Sequence, residues 1–396
     1  MKKLQELVSH SKDSEKISMS IAKVMQEVFP GISIKIDSIS QDIDLIKAIQ
    51  DDTQFLIEEN NIAVPHDLQG HGVQRQLIFS ALKEYSKQLQ LAKSTAKKPD
   101  INLDEKSNST RKKYMILLEE PELFLHPTAI RSVRNLLYDL AKNSEFQIIC
   151  ATHSPVIIDL AQSQNSLVRI VKIPEIGSIS HQVKREELIA PRMLETFNPH
   201  VCEAFFADQV ILVEGSTEAI AIRQILEKME LENSNSKDIK NFHIVNCGGK
   251  TTIPEFQRIL RLFKIEYTVF HDSDSRLDKN GKSLNVWTIN EKIWKEIEMA
   301  RRDNIEAKRF VSIINFESSN GYNPCPQSKP TEAYQQVKTW ISRWNEKAIQ
   351  AKPIIKYMQY LVHGYGDIED HTQAWLNQQS VESVPENFMD EQLDLW

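Results

Sequence analysis

No stretch of about 18 apolar residues occurs in this sequence, so nothing in it reads as a membrane span. Its start, MKKLQELVSHSKDSEK, has the positive charge of an export signal but no apolar run behind it. Together these absences predict a cytoplasmic chain. Cysteine is scarce and scattered. Cys150, Cys202, Cys247 and Cys325 form no C-x-x-C pair, which argues against a zinc ribbon or disulfide framework and predicts reduced thiols. Positive charge is not in excess either: the formal net charge is −7, and a chain so charged does not coat a polyanion through bulk attraction. A local cationic groove, or bound metal ions, would still let it meet nucleic acid at one place. Arg258, Arg261 and Lys264 are candidates for such a groove, although a solvated helix face is the better account of them. Also missing is any G-x-x-x-x-G-K-[ST] string. Gly31 is isolated, and Gly248-Gly249-Lys250-Thr251 has no glycine at the required place upstream. No internal repeat is visible.

What is there is ordinary for a folded protein: 41% hydrophobic and 26% charged residues over 396 positions, enough for two or three domains. Residues 3–29 carry apolar side chains at mostly helical spacing, and Pro30-Gly31 ends them. Residues 32–38 alternate like a half-buried strand, the apolar segment Phe55-Leu56-Ile57 follows, and a helix is predicted over 73–91. The polar stretch 93–110 reads as a linker or insertion. Tyr114–Leu118 is a continuous apolar run, which predicts a strand buried on both faces. Helix 127–142 and strand 146–150 complete an α/β unit, and 167–172 with 179–184 suggest a hairpin around Gly177. After Pro191 a second alternating series begins: strand 209–213, helix 217–230, strand 242–246, helix 254–264, strand 266–270 and strand 310–315. A polar stretch, 232–240, joins two of these elements. Residues 331–350 look helical, and the last 30 or so are acidic and weakly patterned.

Two constellations carry chemistry. In the first, the strand Leu117-Leu118 ends in Glu119-Glu120-Pro121-Glu122. A parallel strand delivers its last residues to the sheet edge where ligands bind. One carboxylate there can hold Mg²⁺, and the next can orient a water toward a γ-phosphate. A second strand ends in Ala151-Thr152-His153-Ser154-Pro155, which supplies a histidine to the same edge. The string Glu119-Glu120-Pro-Glu-Leu-Phe-Leu-His126-Pro127, followed by Ala-Thr-His153-Ser-Pro, resembles the Walker B and switch-histidine motifs of ABC-type ATPases. The likeness is greatest to the branch shared by SMC-like proteins and the OLD (overcoming lysogenisation defect) family. The resemblance implies that Glu119 is the metal-side acid, Glu120 the general base and His153 the switch. The string Leu68-Gln69-Gly70-His71-Gly72-Val73-Gln74-Arg75, placed before a helix, resembles a degenerate signature loop that touches ATP held by a partner protomer. A Gly-x-Gly before a helix is otherwise an ordinary turn and cap. Without the phosphate-binding loop, ATP affinity is expected to be poor, and the chain resembles the C-terminal portion of such an ATPase.

In the second constellation, strand Gln209–Val213 ends in Glu214, Gly215 permits a tight turn, and Glu218 falls in the first turn of the next helix. Strand Tyr267–Phe270 ends in His271-Asp272-Ser273-Asp274, where an extended chain would point Asp272 and Asp274 the same way. Four acids at neighbouring strand ends repel one another at neutral pH, and divalent cations offset that repulsion. The order and spacing resemble the Toprim domain of topoisomerases, primases, RecR-type repair proteins and OLD-family nucleases. Phe310–Phe316 leading to Glu317 is read as a further strand ending in a carboxylate, and it matches a later metal-binding glutamate of the OLD pattern. Lys329-Pro330 resembles that family's catalytic lysine. Cys247-Gly248-Gly249-Lys250 resembles a turn found there, or is simply a strand-to-helix turn.

The expected architecture is therefore α/β: the C-terminal half of an ABC-type ATPase domain over 1–190, then a Toprim domain with a mostly parallel sheet and a helical tail over 191–396. The resemblance implies DNA cleavage by a two-metal site under ATPase control, in phage defence or DNA repair. Glu214 and Glu218, with Asp272, would hold one Mg²⁺ or Mn²⁺ ion, Asp274 and Glu317 the second, and Lys329 would stabilise the transition state. It further implies DNA as the partner, a homodimer or higher oligomer, and an accessory defence subunit. Two alternatives stay open: a DNA-binding or regulatory subunit with a silent Toprim fold, and a truncated, inactive fragment. A stand-alone ATP switch conflicts with the missing phosphate loop, and a topoisomerase would need a nucleophilic tyrosine in a separate domain.

Overall fold

The computed structural model describes residues 11–27, 29, 31–38, 53–95, 114–142, 146–159, 166–173, 175–183, 199–232, 241–276, 282, 284–325 and 327–364. The start of the first predicted helix, most of the 93–110 linker, the 233–240 connector, Pro191 and the acidic tail lie outside the described residues. The chain divides into two compact units, Met1–Gln164 and Asn165–Trp396. No helix among the described residues is long and apolar enough to cross a membrane.

In the first unit, α1 (Ser11–Gln26) precedes an antiparallel meander of β1 (Ser33–Ser38), β2 (Thr53–Glu59) and β3 (Ile62–Pro65). The long helix α2 (His71–Thr95) and α1 cover one face of that meander, burying Ile17, Ile21, Met25, Ile34, Phe55, Ile57 and Leu77 together. A parallel pair follows, β4 (Tyr114–Glu119) beside β5 (Phe146–Ala151), with α3 (Pro127–Ala141) between them in sequence. Helix α3 turns Val133, Leu136, Leu137 and Leu140 inward against Leu118 and Ile148. Here the expectation of a strand buried on both faces fails. Burial alternates along β4, with Met115 60% and Leu117 68% exposed, because within the described residues only one face of this two-stranded sheet is covered.

The second unit opens on a hairpin, β6 (Leu167–Ile173) with β7 (Gly177–Val183), as the Gly177 turn suggested. Arg169 ties this hairpin to the unit by donating to the carbonyls of Phe205, Phe263 and Lys264. The main sheet contains β8 (Gln209–Val213), β9 (Phe242–Asn246), β10 (Glu266–Asp272) and β11 (Ala307–Ser312), all parallel, in the spatial order β11-β10-β8-β9. The order reverses between β8 and β10, and a crevice opens outside the strand ends at such a switch point. All five residues of β8 are buried, as a central strand covered on both faces requires. Ile211 and Val213 face α4 (Ser216–Glu232), along which two later helices pack. The opposite face carries α5 (Ile253–Leu262) and α6 (Asn285–Arg302).

Helix α6 has no counterpart among the predicted elements, although Ile289, Ile293 and Ile297, all buried, repeat at helical spacing. The last strand spans 307–312 and not 310–315. Ile314 has φ of 62°, a left-handed conformation that no strand continues through, so the chain leaves the ladder there. Glu317 consequently does not end a strand. It sits in the first turn of a short helix, α7 (Phe316–Ser319), capped by the Asn315 side chain accepting from Ser318 N at 2.8 Å. Helices α8 (Lys329–Ser342) and α9 (Pro353–His363), with the single-turn helix Lys347–Gln350 between them, finish the described chain.

Candidate functional site

The register of the main sheet sets the geometry. Val213 pairs with Phe270, so Glu214 emerges beside His271, one residue before Asp272. The Asp272 backbone N–H donates to Glu214 Oε2 at 3.3 Å. Gly215 turns the chain into α4, and its N–H donates to Glu218 Oε2 at 3.0 Å, so the helix is entered with its first-turn carboxylate folded back toward the strand end. Glu218 is buried. On the other side, Asp272 pairs with Ser312 across β10 and β11, which leads to the short helix holding buried Glu317. Lys329, at the start of α8, reaches Glu317 Oε1 with its ammonium at 3.0 Å.

Strand alternation does not place Asp274, contrary to expectation. Its φ is 59°, and the segment is a turn: Ser273 N donates to Ser312 O, Asp274 N to Ile314 O, and Ile314 N to Ser273 Oγ. What fixes the Asp274 carboxylate is Lys250, whose buried ammonium lies 2.7 Å from Asp274 Oδ2 and 3.1 Å from Ser273 O.

The electrostatics follow from five carboxylates in a confined place. Burial pushes Glu218 up to about 7, with Glu214 and Glu317 adding to the rise and the Gly215 N–H opposing it. Asp272 is raised well above the usual carboxylate range by burial and then by Glu218, Glu214, Asp274 and Glu317. Glu214 is raised by burial, against the pull of the Asp272 N–H, Lys250 and Lys329. Its hydrogen bond to Glu317 raises Lys329, while burial lowers Lys250 against the attraction of Asp274, Glu214 and Asp272. Among the described residues no three His, Cys, Asp or Glu side chains stand in ready ligand geometry for a metal ion. The donor set nevertheless fits one. It is all oxygen, which suits hard cations such as Mg²⁺ or Mn²⁺. Asp272 Oδ1 and the Tyr322 hydroxyl are buried with no hydrogen-bond partner, and Tyr322 is close enough to Glu317, Glu218 and Asp272 to be raised by them, after burial.

In the first unit, Glu119 ends β4 level with Ala151, and Glu120 follows with φ of 44° and its N–H on Ala151 O. His153 Nε2 stands 3.8 Å from Glu120 Oε1, the histidine exposed and the glutamate half-buried. The β5 turn is organised by Glu122, whose Oε1 accepts from Thr152 Oγ1 at 2.6 Å and from His153 N at 3.1 Å. Arg75, from α2, donates to the Glu120 carbonyl. Gly70 caps α2, accepting from Val73 N and Gln74 N. Gly72 packs so tightly on the Phe124 carbonyl that an added Cβ would come within 2.7 Å of it.

Residues 205–274 match the family described as the Toprim domain of overcoming lysogenization defect protein-like proteins, and residues 1–158 match an AAA ATPase domain. The chain carries an OLD-like Toprim domain. The OLD nuclease of Thermus scotoductus is 24% identical to it over 304 residues, which are 71% of this chain and 50% of that one. The Old nuclease of Escherichia phage P2 is 27% identical over 270 residues, covering 65% and 42%. The endonuclease GajA of Bacillus cereus is 23% identical over 294 residues, covering 68% and 40%. The chain thus spans half the length, or less, of these curated relatives. The OLD-like match ends at Asp274, yet the fold brings Glu317 and Lys329 to the same edge. The sequence points to Glu214, Glu218, Asp272, Asp274, Glu317 and Lys329 as site residues; it assigns no role to Lys250, Tyr322 or Glu122, and Arg75 enters only as the last residue of the signature-like loop. For Lys250 a signal existed, since its turn follows β9 and so opens on the same sheet edge as Glu214 and Asp272. Of the suggested groove residues, Arg261 and Lys264 pair with Asp303.

Proposed function

We propose that the OLD-like Toprim domain is a divalent-metal-dependent DNA endonuclease and that the AAA unit regulates it. The observation that carries this reading is the gathering of Glu214, Glu218, Asp272, Asp274 and Glu317, with Lys329, at the switch point of a parallel sheet. Glu214, Glu218 and Asp272 hold one Mg²⁺ or Mn²⁺ ion, and Asp274 and Glu317 are the ligands on offer to a second. When bound, such ions lower the pKa of a water and stabilise the leaving oxygen of a phosphodiester. Lys329 supplies a positive charge beside the phosphate, where negative charge grows in the transition state. The low solvent access of Glu218 and Glu317 keeps competing water from these acids.

In the AAA unit, Glu119 takes the metal side of a nucleotide, Glu120 the attacking water and His153 the switch, with Gly70 and Gly72 forming the loop that meets a nucleotide across a homodimer or higher oligomer. A phosphate cradle is not among this chain's motifs, so ATP use depends on one supplied elsewhere. The setting we propose for this activity is phage defence or DNA repair in the cytoplasm, with or without an accessory subunit.

Cleavage of supercoiled plasmid tests the reading. With Mg²⁺ or Mn²⁺ the chain should convert it to nicked or linear DNA, and Glu214→Ala and Asp272→Ala should each lower the rate by about 10²-fold or more. If no product forms with either ion, with or without ATP, while the DNA is still bound, a regulatory Toprim subunit replaces the nuclease as the better reading.

A further inference from the structure

Two of the five carboxylates are already neutralised by the chain itself. Lys250 pairs with Asp274 and Lys329 with Glu317. Among the described residues, no lysine or arginine forms an ion pair with Glu214, Glu218 or Asp272. The chain's own cations therefore stand on the two acids that a second divalent ion would need.

The two lysines are held differently. Lys329 leaves 43% of its side chain exposed while it pairs with buried Glu317. Lys250 leaves 2% of its side chain exposed, and it is set in place by a turn in which Gly248 and Gly249 have φ of 72° and 139°, angles that side chains rarely adopt. Its ammonium bridges Ser273 O and Asp274 Oδ2, and the same Ser273 carbonyl accepts from Asn290 Nδ2 at 2.9 Å. A buried ammonium that loses its carboxylate has no water to turn to, so the pair with Asp274 is costly to break. Charge balance points the same way. With all five acids ionised, two ammoniums and one dication leave a single negative charge, whereas a second dication makes the pocket positive until a phosphate arrives.

We propose that Lys250 is a positioning residue and the resident cation of this site: it fixes Asp274 on its turn and occupies the place beside that carboxylate which a second divalent ion would take. The free chain then binds one divalent ion, at Glu214, Glu218 and Asp272. This inference rests on the reading of the acids as metal ligands.

Calorimetric titration of the full chain with Mn²⁺, cross-checked by the paramagnetic resonance of unbound Mn²⁺ up to millimolar concentration, tests it. One ion per chain is expected for the wild type and for Lys250→Arg, two for Lys250→Met, and none for Glu214→Ala with Asp272→Ala. Two ions in the wild type overturn the role of Lys250 and leave the metal site standing. No ion in the wild type overturns both. Lys250→Met that melts lower but still binds one ion reduces Lys250 to a packing role and overturns the proposal. If Lys250→Met does not fold, the wild-type stoichiometry decides.

Discussion

Glu218 shares with Asp272 the electrostatic strain of the site, and its protonation reports that strain. In the folded chain without metal its carboxyl is raised to about 7 from the usual 4.5. Between those values the folded state binds more protons than the unfolded state, so stability falls as pH rises. The contribution is fully present below the unfolded value and is lost as pH passes through the folded one. Asp272, raised for the same reasons, titrates together with Glu218 and acts in the same direction. Melting temperature in a chelator should therefore drop between mildly acidic and mildly alkaline pH. Glu218→Gln should flatten the drop, and Mn²⁺ should reverse it by favouring the ionised carboxylates. A melting temperature independent of pH across that range would show that crowding of the acids does not govern the stability of this unit. At this scale the sequence is informative where function hangs on strand ends. Glu214 and Asp272 stand at adjacent ends because acids that close apolar strands land on one edge. It is silent where contacts are long in sequence, as in the reach of Lys250 over 24 positions to Asp274 or of Arg75 to Glu120.

Elements were legible in proportion to their burial pattern. Strand β8 and helix α4 could be read because a run that is apolar from Val210 to Val213 and a helical repeat leave little choice. The end of β11 could not, because its terminus is set by Ile314 entering a left-handed conformation and not by any breaker residue. The signature-like loop shows how one glycine can be structural and its neighbour free. An added Cβ at Gly72 meets the Phe124 carbonyl at 2.7 Å, whereas at Gly70 nothing lies within 4 Å and φ is not positive. Backbone cannot yield as a side-chain tip can. Gly72→Ala should accordingly destabilise the first unit by about 1–3 kcal/mol, and Gly70→Ala should change it by no more than about 0.5 kcal/mol. Urea unfolding followed in that unit measures both. Equal stability of the two variants would show that the α2 start and the Phe124 turn move apart freely.

At the scale of the whole molecule the two units are unequally equipped. The Toprim unit brings its acids and two lysines to one sheet edge. The AAA unit presents Glu119, Glu120 and His153 on a two-stranded sheet whose other face leaves Met115, Leu117 and Ile149 exposed. Affinity for a nucleoside triphosphate comes mainly from backbone N–H groups and a lysine that wrap its phosphates. No G-x-x-x-x-G-K-[ST] string supplies them here. Glu120 and His153, at 3.8 Å from each other, orient a water only once a γ-phosphate is held nearby. The chain by itself should then release no phosphate from ATP above a Glu120→Gln control, and plasmid nicking should change less than about twofold, roughly 0.4 kcal/mol, when ATP is added. A tenfold response of nicking to ATP would mean that the described strands already form a nucleotide site with a cradle of another kind. Control of the nuclease would then lie within this chain instead of depending on a phosphate loop from elsewhere.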